Sequence, residues 1–121
     1  MHELTELIRA DMAAALCYLR GGGLKEITAV LNNMASSVTG MICDGGNRGC
    51  VMKGIAACAA AFESAELAMS GAAVADIHGI NGFTPEETMR HMGQIASPGM
   101  VMTERTIVGI QESKAGKGSA S

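Results

Sequence analysis

From Cys50 to Met69 the chain runs twenty residues without a proline, and seven of the twenty are alanine. Alanine loses no side-chain entropy in a helix, and a proline would break one. The stretch therefore predicts a long buried helix, with Gly71 placed to cap its C-terminus. Such a helix offers neighbours a smooth surface of methyl groups. The rest of the chain supplies few large rings to fill the space between helices, since aromatics make up 2% of it. A core of this kind packs through small residues at close range, with some of the ten methionines filling irregular gaps.

Other segments carry the same helical signal. Leu4, Leu7, Ile8, Met12, Ala15, Leu16 and Leu19 recur in steps of three and four, which places them on one helix face. Gly21-Gly22-Gly23 ends that helix. Leu24, Ile27, Val30, Leu31, Met34 and Val38 mark a second, which stops at Gly40. Ala72 to Phe83 is ambiguous: Val74, Ile77 and Ile80 fit a short helix, but Gly79 and Gly82 favour a connecting loop. At Thr84-Pro85-Glu86-Glu87 a threonine N-cap, a proline at the first helical position and a glutamate three residues after the cap open a further helix to about Ala96. Ser97-Pro98-Gly99 breaks it. Met100 to Glu112 reads as the last helix, with Val101, Ile107, Val108 and Ile110 turned partly inward. The expected fold is all-α, a compact bundle of about five helices. A single domain spans residues 1–113 of the 121, followed by a small, polar, disordered tail at 114–121.

Net charge of −3 leaves no basic surplus to neutralise phosphates. So few aromatics also give nucleic-acid bases little to stack on. No stretch approaches the roughly 20 apolar residues that cross a bilayer. Glu3 and Glu6 stand where a secretory signal would carry basic residues. These features point to a cytoplasmic protein with neither nucleic acid nor membrane as partner. In that setting the four cysteines are thiols or metal ligands rather than disulfides.

The chemistry concentrates in Cys43-Asp44-Gly45-Gly46-Asn47-Arg48-Gly49-Cys50, a glycine-rich loop ahead of the alanine-rich helix. Spacing alone leaves several readings open: simple thiols, a regulatory disulfide, a zinc or redox site, or ligation of an inorganic cluster. Zinc pairs are usually closer, with two to four residues between ligands. Glycines let backbone approach a bound group closely, and the amides at a helix start favour negative charge, which suits a thiolate at Cys50. The loop is no P-loop, because no Gly-Lys-Ser/Thr closes it and Lys53 arrives too late. Arg48 and Lys53 are candidates for a substrate carboxylate. Cys17 and Cys58 lie inside helices and read as small core residues. His2 sits near the start of the chain. His78 and His91 lack ligand neighbours one helical turn away. Glu63 and Glu66 read as a solvated edge.

Ser37-Val38-Thr39-Gly40-Met41-Ile42-Cys43-Asp44-Gly45, followed by Gly49-Cys50-Val51-Met52-Lys53, resembles the L-cysteine desulfidases. That family is related to the α-chains of bacterial iron–sulfur L-serine dehydratases. The likeness extends over Ile27 to Asn33, the alanine-rich helix, Ile95-Ala96 through Met100, and Thr103 to Ile107, so it covers about Ala13 to Ile110. The resemblance implies a [4Fe–4S] cluster on three cysteines with one iron open to substrate, and a lyase that eliminates sulfide from L-cysteine, or water from L-serine, to give pyruvate and ammonia. It makes Cys43 one cluster ligand and Cys50 a candidate for a second, and assigns no catalytic residue. Where the family places its third cysteine, well before Cys43, this chain has only its own start, and Cys17 stands too close to match. The chain accordingly reads as the C-terminal part of a serine dehydratase-like catalytic domain, inactive without an N-terminal portion or partner chain. Its expected partners are that portion, a small amino-acid substrate and further copies of itself. The alternatives are a non-catalytic helical oligomerisation module, or a zinc or redox module through Cys43 and Cys50.

Overall fold

The structure, a computed structural model, describes residues 2–118, with side chains described for 10–116. It comprises α1 (His2–Leu19), α2 (Leu24–Val38), α3 (Gly49–Met69), α4 (Pro85–Gln94), a π-helical segment (Ile95–Gly99) and α5 (Val101–Gly118), with no strand among the described residues. The all-α bundle read from the sequence is the fold observed. No described helix is long and apolar enough to cross a membrane.

Helix α2 is the hub, packing against α1, α3 and α4. On one side Val30, Met34 and Val38 meet Ala13 and Cys17 of α1 and Ala61, Ala65 and Ala68 of α3. On another, Leu31 and Ala35 meet Ala10 and Met92. Alanine lets α3 approach α2 closely, and Met34 and Met92 are among the largest fully buried side chains. The expected α1 face is rotated, because small residues take the closest positions. Ala10, Ala13 and Cys17 are buried, Met12 and Leu16 pack at the margin, and Leu19 and Ala15 are exposed. Leu4, Leu7, Ile8 and His2 fall outside the described side chains.

Two boundaries follow from local chemistry. At the end of α3 the Ala72 N–H donates to the Leu67 carbonyl and the Gly71 N–H to Ala68, which closes the helix through Gly71 at φ +84°. At the start of α4 the Thr84 hydroxyl accepts from the Glu87 N–H at 3.2 Å, while the Glu87 carboxylate accepts from the Phe83 N–H at 2.9 Å.

Two features depart from expectation. α4 ends at Gln94, and Ser97 holds an extended conformation inside the π segment. α5 continues to Gly118, so residues 114–118 are helical where a disordered tail was expected; residues 119–121 lie outside the described ones. Among the described helical elements α5 packs only against the π segment, and its Gln111 also reaches the loop between α2 and α3. Val101 and Ile107 are half-buried, but Val108 and Ile110 are exposed rather than turned inward.

Residues 72–83 form a loop, as expected, pinned to α2 by polar side chains that the hydrophobic pattern conceals. Buried Asn32 donates to the Gly82 carbonyl at 3.2 Å and accepts from the Thr88 hydroxyl at 2.6 Å, and that hydroxyl accepts from the Gly82 N–H at 2.9 Å. Asn33 donates to the Ala72 carbonyl and accepts from the Val74 N–H. Asn81 Nδ2 donates to the Ala75 carbonyl, and the Ser36 hydroxyl donates to Asn81 Oδ1. The backbone carbonyl and N–H of buried Gly82 would otherwise be desolvated without a partner.

Candidate functional site

The loop between α2 and α3 begins at Thr39, whose extended backbone ends α2. Met41 packs partly against the core and fixes the entry, while Ile42, Cys43 and Asp44 are exposed. At Gly45 the backbone takes φ +101°, a conformation a side chain would resist. A Cβ there would also stand 3.2 Å from the Gln111 side-chain nitrogen. Asn47 then turns the chain into α3, its Oδ1 accepting from the Gly49 N–H at 2.6 Å.

Two ties hold this loop. Lys53 Nζ lies 2.7 Å from Asp44 Oδ1 and joins the first turns of α3 to the residue after Cys43. Gln111 Nε2 of α5 donates to the Asp44 carbonyl at 2.7 Å. The Lys53 hydrogen bond is the chief reason the Asp44 carboxyl lies below its ordinary value. Lys53 is raised in turn, first by its hydrogen bond to Asp44 and further by the charge of that carboxylate. Lys53 is an ion-paired helix residue.

Cys43 and Cys50 are both exposed free thiols, and Cys50 Sγ donates to the Gly45 carbonyl at 3.4 Å. Arg48 is exposed at the residue that precedes α3. Among the described residues no three His, Cys, Asp or Glu side chains gather into a metal-binding group. The loop thus presents two exposed thiols, with no third donor gathered beside them among the described residues.

The other two cysteines divide. Cys17 is buried in the core, where burial pushes its thiol pKa up. Cys58 is exposed, contrary to the core reading, because the bundle covers only the Ala57–Ala61–Ser64–Ala65–Ala68 side of α3. Glu66 pairs with Arg20 and Glu63 is exposed, in keeping with a solvated edge. His91 Nδ1 lies 2.9 Å from the Ile80 carbonyl, a structural contact, and His78 is exposed.

Sequence reasoning missed three residues around the loop. Asp44 and Gln111 act through pairings far apart in the chain, which no periodicity announces. The Thr39 hydroxyl is shut from solvent and has no hydrogen-bond partner among the described residues.

The family model described as serine dehydratase alpha chain matches residues 9–109. An UPF0597 protein of Clostridium botulinum is 44% identical over 99 residues, covering 82% of this chain and 23% of that protein. Those of Desulfotalea psychrophila and Caldanaerobacter subterraneus are 35% and 37% identical, covering 90% and 85% of this chain and 25% and 24% of theirs. The chain thus spans about a quarter of the length of these curated relatives. No solved structure matches. The match runs through the cysteine loop and every helix around it, and the chain belongs to the serine dehydratase alpha chain family.

Proposed function

We propose that this chain is the C-terminal, cluster-ligating part of an iron–sulfur lyase, one that eliminates sulfide from L-cysteine, or water from L-serine, and releases pyruvate and ammonia. The observation that carries this reading is the placement of Cys43 and Cys50. Both thiols are exposed on one short loop, braced by Asp44–Lys53 and Gln111.

On this reading Cys43 and Cys50 hold two corners of a [4Fe–4S] cluster, and the third thiolate comes from an N-terminal portion or partner chain outside these residues. When bound, the cluster supplies an open iron that acts as a Lewis acid on the substrate. The chain's own residues bind and orient. Lys53 and the first amides of α3 set a positive field at the thiolates. Exposed Arg48 offers a fork of donors to the substrate carboxylate. The chemistry balances without an external oxidant. The α-proton leaves carbon, the bond to sulfur or oxygen breaks with its electron pair on the leaving group, and water converts the aminoacrylate to pyruvate and ammonia. Four free thiols fit a reducing, cytoplasmic setting.

Anaerobic reconstitution with ferrous iron and sulfide tests this, with the chain joined to the portion of the Clostridium botulinum relative that it does not match. Stoichiometric iron and labile sulfide, with a brown chromophore lost in Cys43→Ala and in Cys50→Ala, is the expected result. A colourless, metal-free helical oligomer indifferent to those substitutions would overturn it in favour of a non-catalytic module. Retained zinc would overturn it in favour of a zinc or redox site.

A further inference from the structure

Helix α3 is apolar on two sides, and the bundle uses one. Its buried side carries Ala57, Ala61, Ser64, Ala65 and Ala68. A second stripe, Val51, Ile55, Cys58 and Phe62, with Met52 and Ala59 beside it, follows the same three- and four-residue steps and faces away. Val51, Met52, Ile55 and Phe62 are 64%, 66%, 59% and 51% exposed. A helix apolar around most of its circumference is the signature of one enclosed by protein. A contiguous exposed apolar patch on a small domain marks a contact surface.

We infer that this stripe is the docking face for the remainder of the serine dehydratase-like polypeptide, the three-quarters of its relatives' length that this chain does not span. The matched residues 9–109 include the whole stripe, so relatives about four times longer carry this helix amid much more protein. Area argues against a second copy meeting through this stripe alone. Its large side chains offer on the order of half of the roughly 800 Å² per partner that a standard interface buries. The occupant must extend past α3, as a large domain can. α5, which among the described helical elements packs only against the π segment and leaves Met102, Val108 and Ile110 exposed, offers it further surface.

Position adds a consequence. Val51 follows Cys50 directly, so whatever covers the stripe is brought beside the two loop thiols. The occupant is therefore the source of the third cluster ligand. That last step rests on the cluster reading, whereas the docking itself does not.

Cys58 lies in the middle of the stripe and reports its coverage without iron. The test compares alkylation of Cys58, read by mass spectrometry, in two settings. One is this chain alone across a range of concentrations. The other is a chimera in which this chain replaces the matching quarter of the Clostridium botulinum relative. Cys58 is expected to react freely in the isolated chain at every concentration and at least tenfold more slowly in the chimera. Phe62→Asp and, independently, Ile55→Asp should restore its reactivity in the chimera while leaving the helical circular dichroism of the isolated chain unchanged. Cys43→Ala and Cys50→Ala should leave the protection intact, which separates failure of docking from failure of the cluster reading. Equal Cys58 rates in chain and chimera would overturn the inference. Protection that grows with concentration of the isolated chain would also overturn it and assign the stripe to a second copy.

Discussion

Lys53 Nζ stands 2.7 Å from Asp44 Oδ1, so a residue of α3 holds the loop residue that directly follows Cys43. Nine positions apart in sequence, the two side chains close the cysteine loop into a ring, and Gln111 holds the same Asp44 by its backbone carbonyl. The pair is exposed enough that its worth lies in holding a geometry rather than in stabilising the bundle.

Loop order should follow the ionisation of Asp44. Its folded carboxyl lies below the ordinary value of 3.8, chiefly through the Lys53 hydrogen bond. A depressed carboxyl contributes above its unfolded value and loses that contribution as pH falls through the folded one. The tie is therefore intact at pH 7 and still largely intact near pH 4. Asp44→Asn should speed amide hydrogen exchange across residues 43–50 at pH 7. The parent chain should reach comparable local mobility only below the ordinary carboxylate range. Identical exchange in both at pH 7 would show that Gln111 and the glycines suffice.

Cysteine reactivity should divide three to one. Burial raises the Cys17 thiol above its ordinary value of 9.0, while Cys43, Cys50 and Cys58 are exposed. At pH 8 native alkylation should label those three and spare Cys17 until the chain is unfolded. The linkage has the opposite sign to that of Asp44. A raised thiol contributes stability below pH 9 that is lost as pH climbs toward the folded value. Cys17→Ala should remove that alkaline loss, read as a flatter stability profile above pH 9.

What could be read from sequence was whatever repeats at short range. The α3 boundaries, the Gly71 cap and the Thr84–Pro85 start are local events, visible in a few adjacent residues. The cysteine loop was equally legible from its glycines. The α1 face was not, because alanine and cysteine at the closest approach outrank leucine and methionine when helices pack tightly. Composition also led to the burial expected for Cys58 and for α3 as a whole, and the structure does not bear it out: Cys58 is exposed. Within these residues only one side of the helix is covered. The ties made by Asp44, Gln111 and Asn32 join residues far apart in the chain and leave no periodic trace.

Thr39 carries a buried hydroxyl without a partner among the described residues. Such a group costs about 1–3 kcal/mol relative to an apolar replacement of the same shape. Thr39→Val should therefore raise stability by about 1 kcal/mol, seen as a higher denaturation midpoint at unchanged slope. Loss of stability instead would mean that the hydroxyl has a partner in solution.

Thr88 is the keystone of the link between α2, the 72–83 loop and α4. Its hydroxyl donates to Asn32 Oδ1 and accepts from the Gly82 N–H, and the residue is fully buried. Thr88→Val keeps the shape and deletes both bonds, which leaves a buried amide oxygen and a buried backbone donor unpaired. The expected loss is about 3 kcal/mol. Thr88→Ser keeps both bonds and removes one methyl group, at an expected cost of about 1 kcal/mol. Urea unfolding of the two variants separates polar from apolar contributions. If serine proved as damaging as valine, packing of the methyl group rather than the hydrogen bonds would be what holds the 72–83 loop against α2.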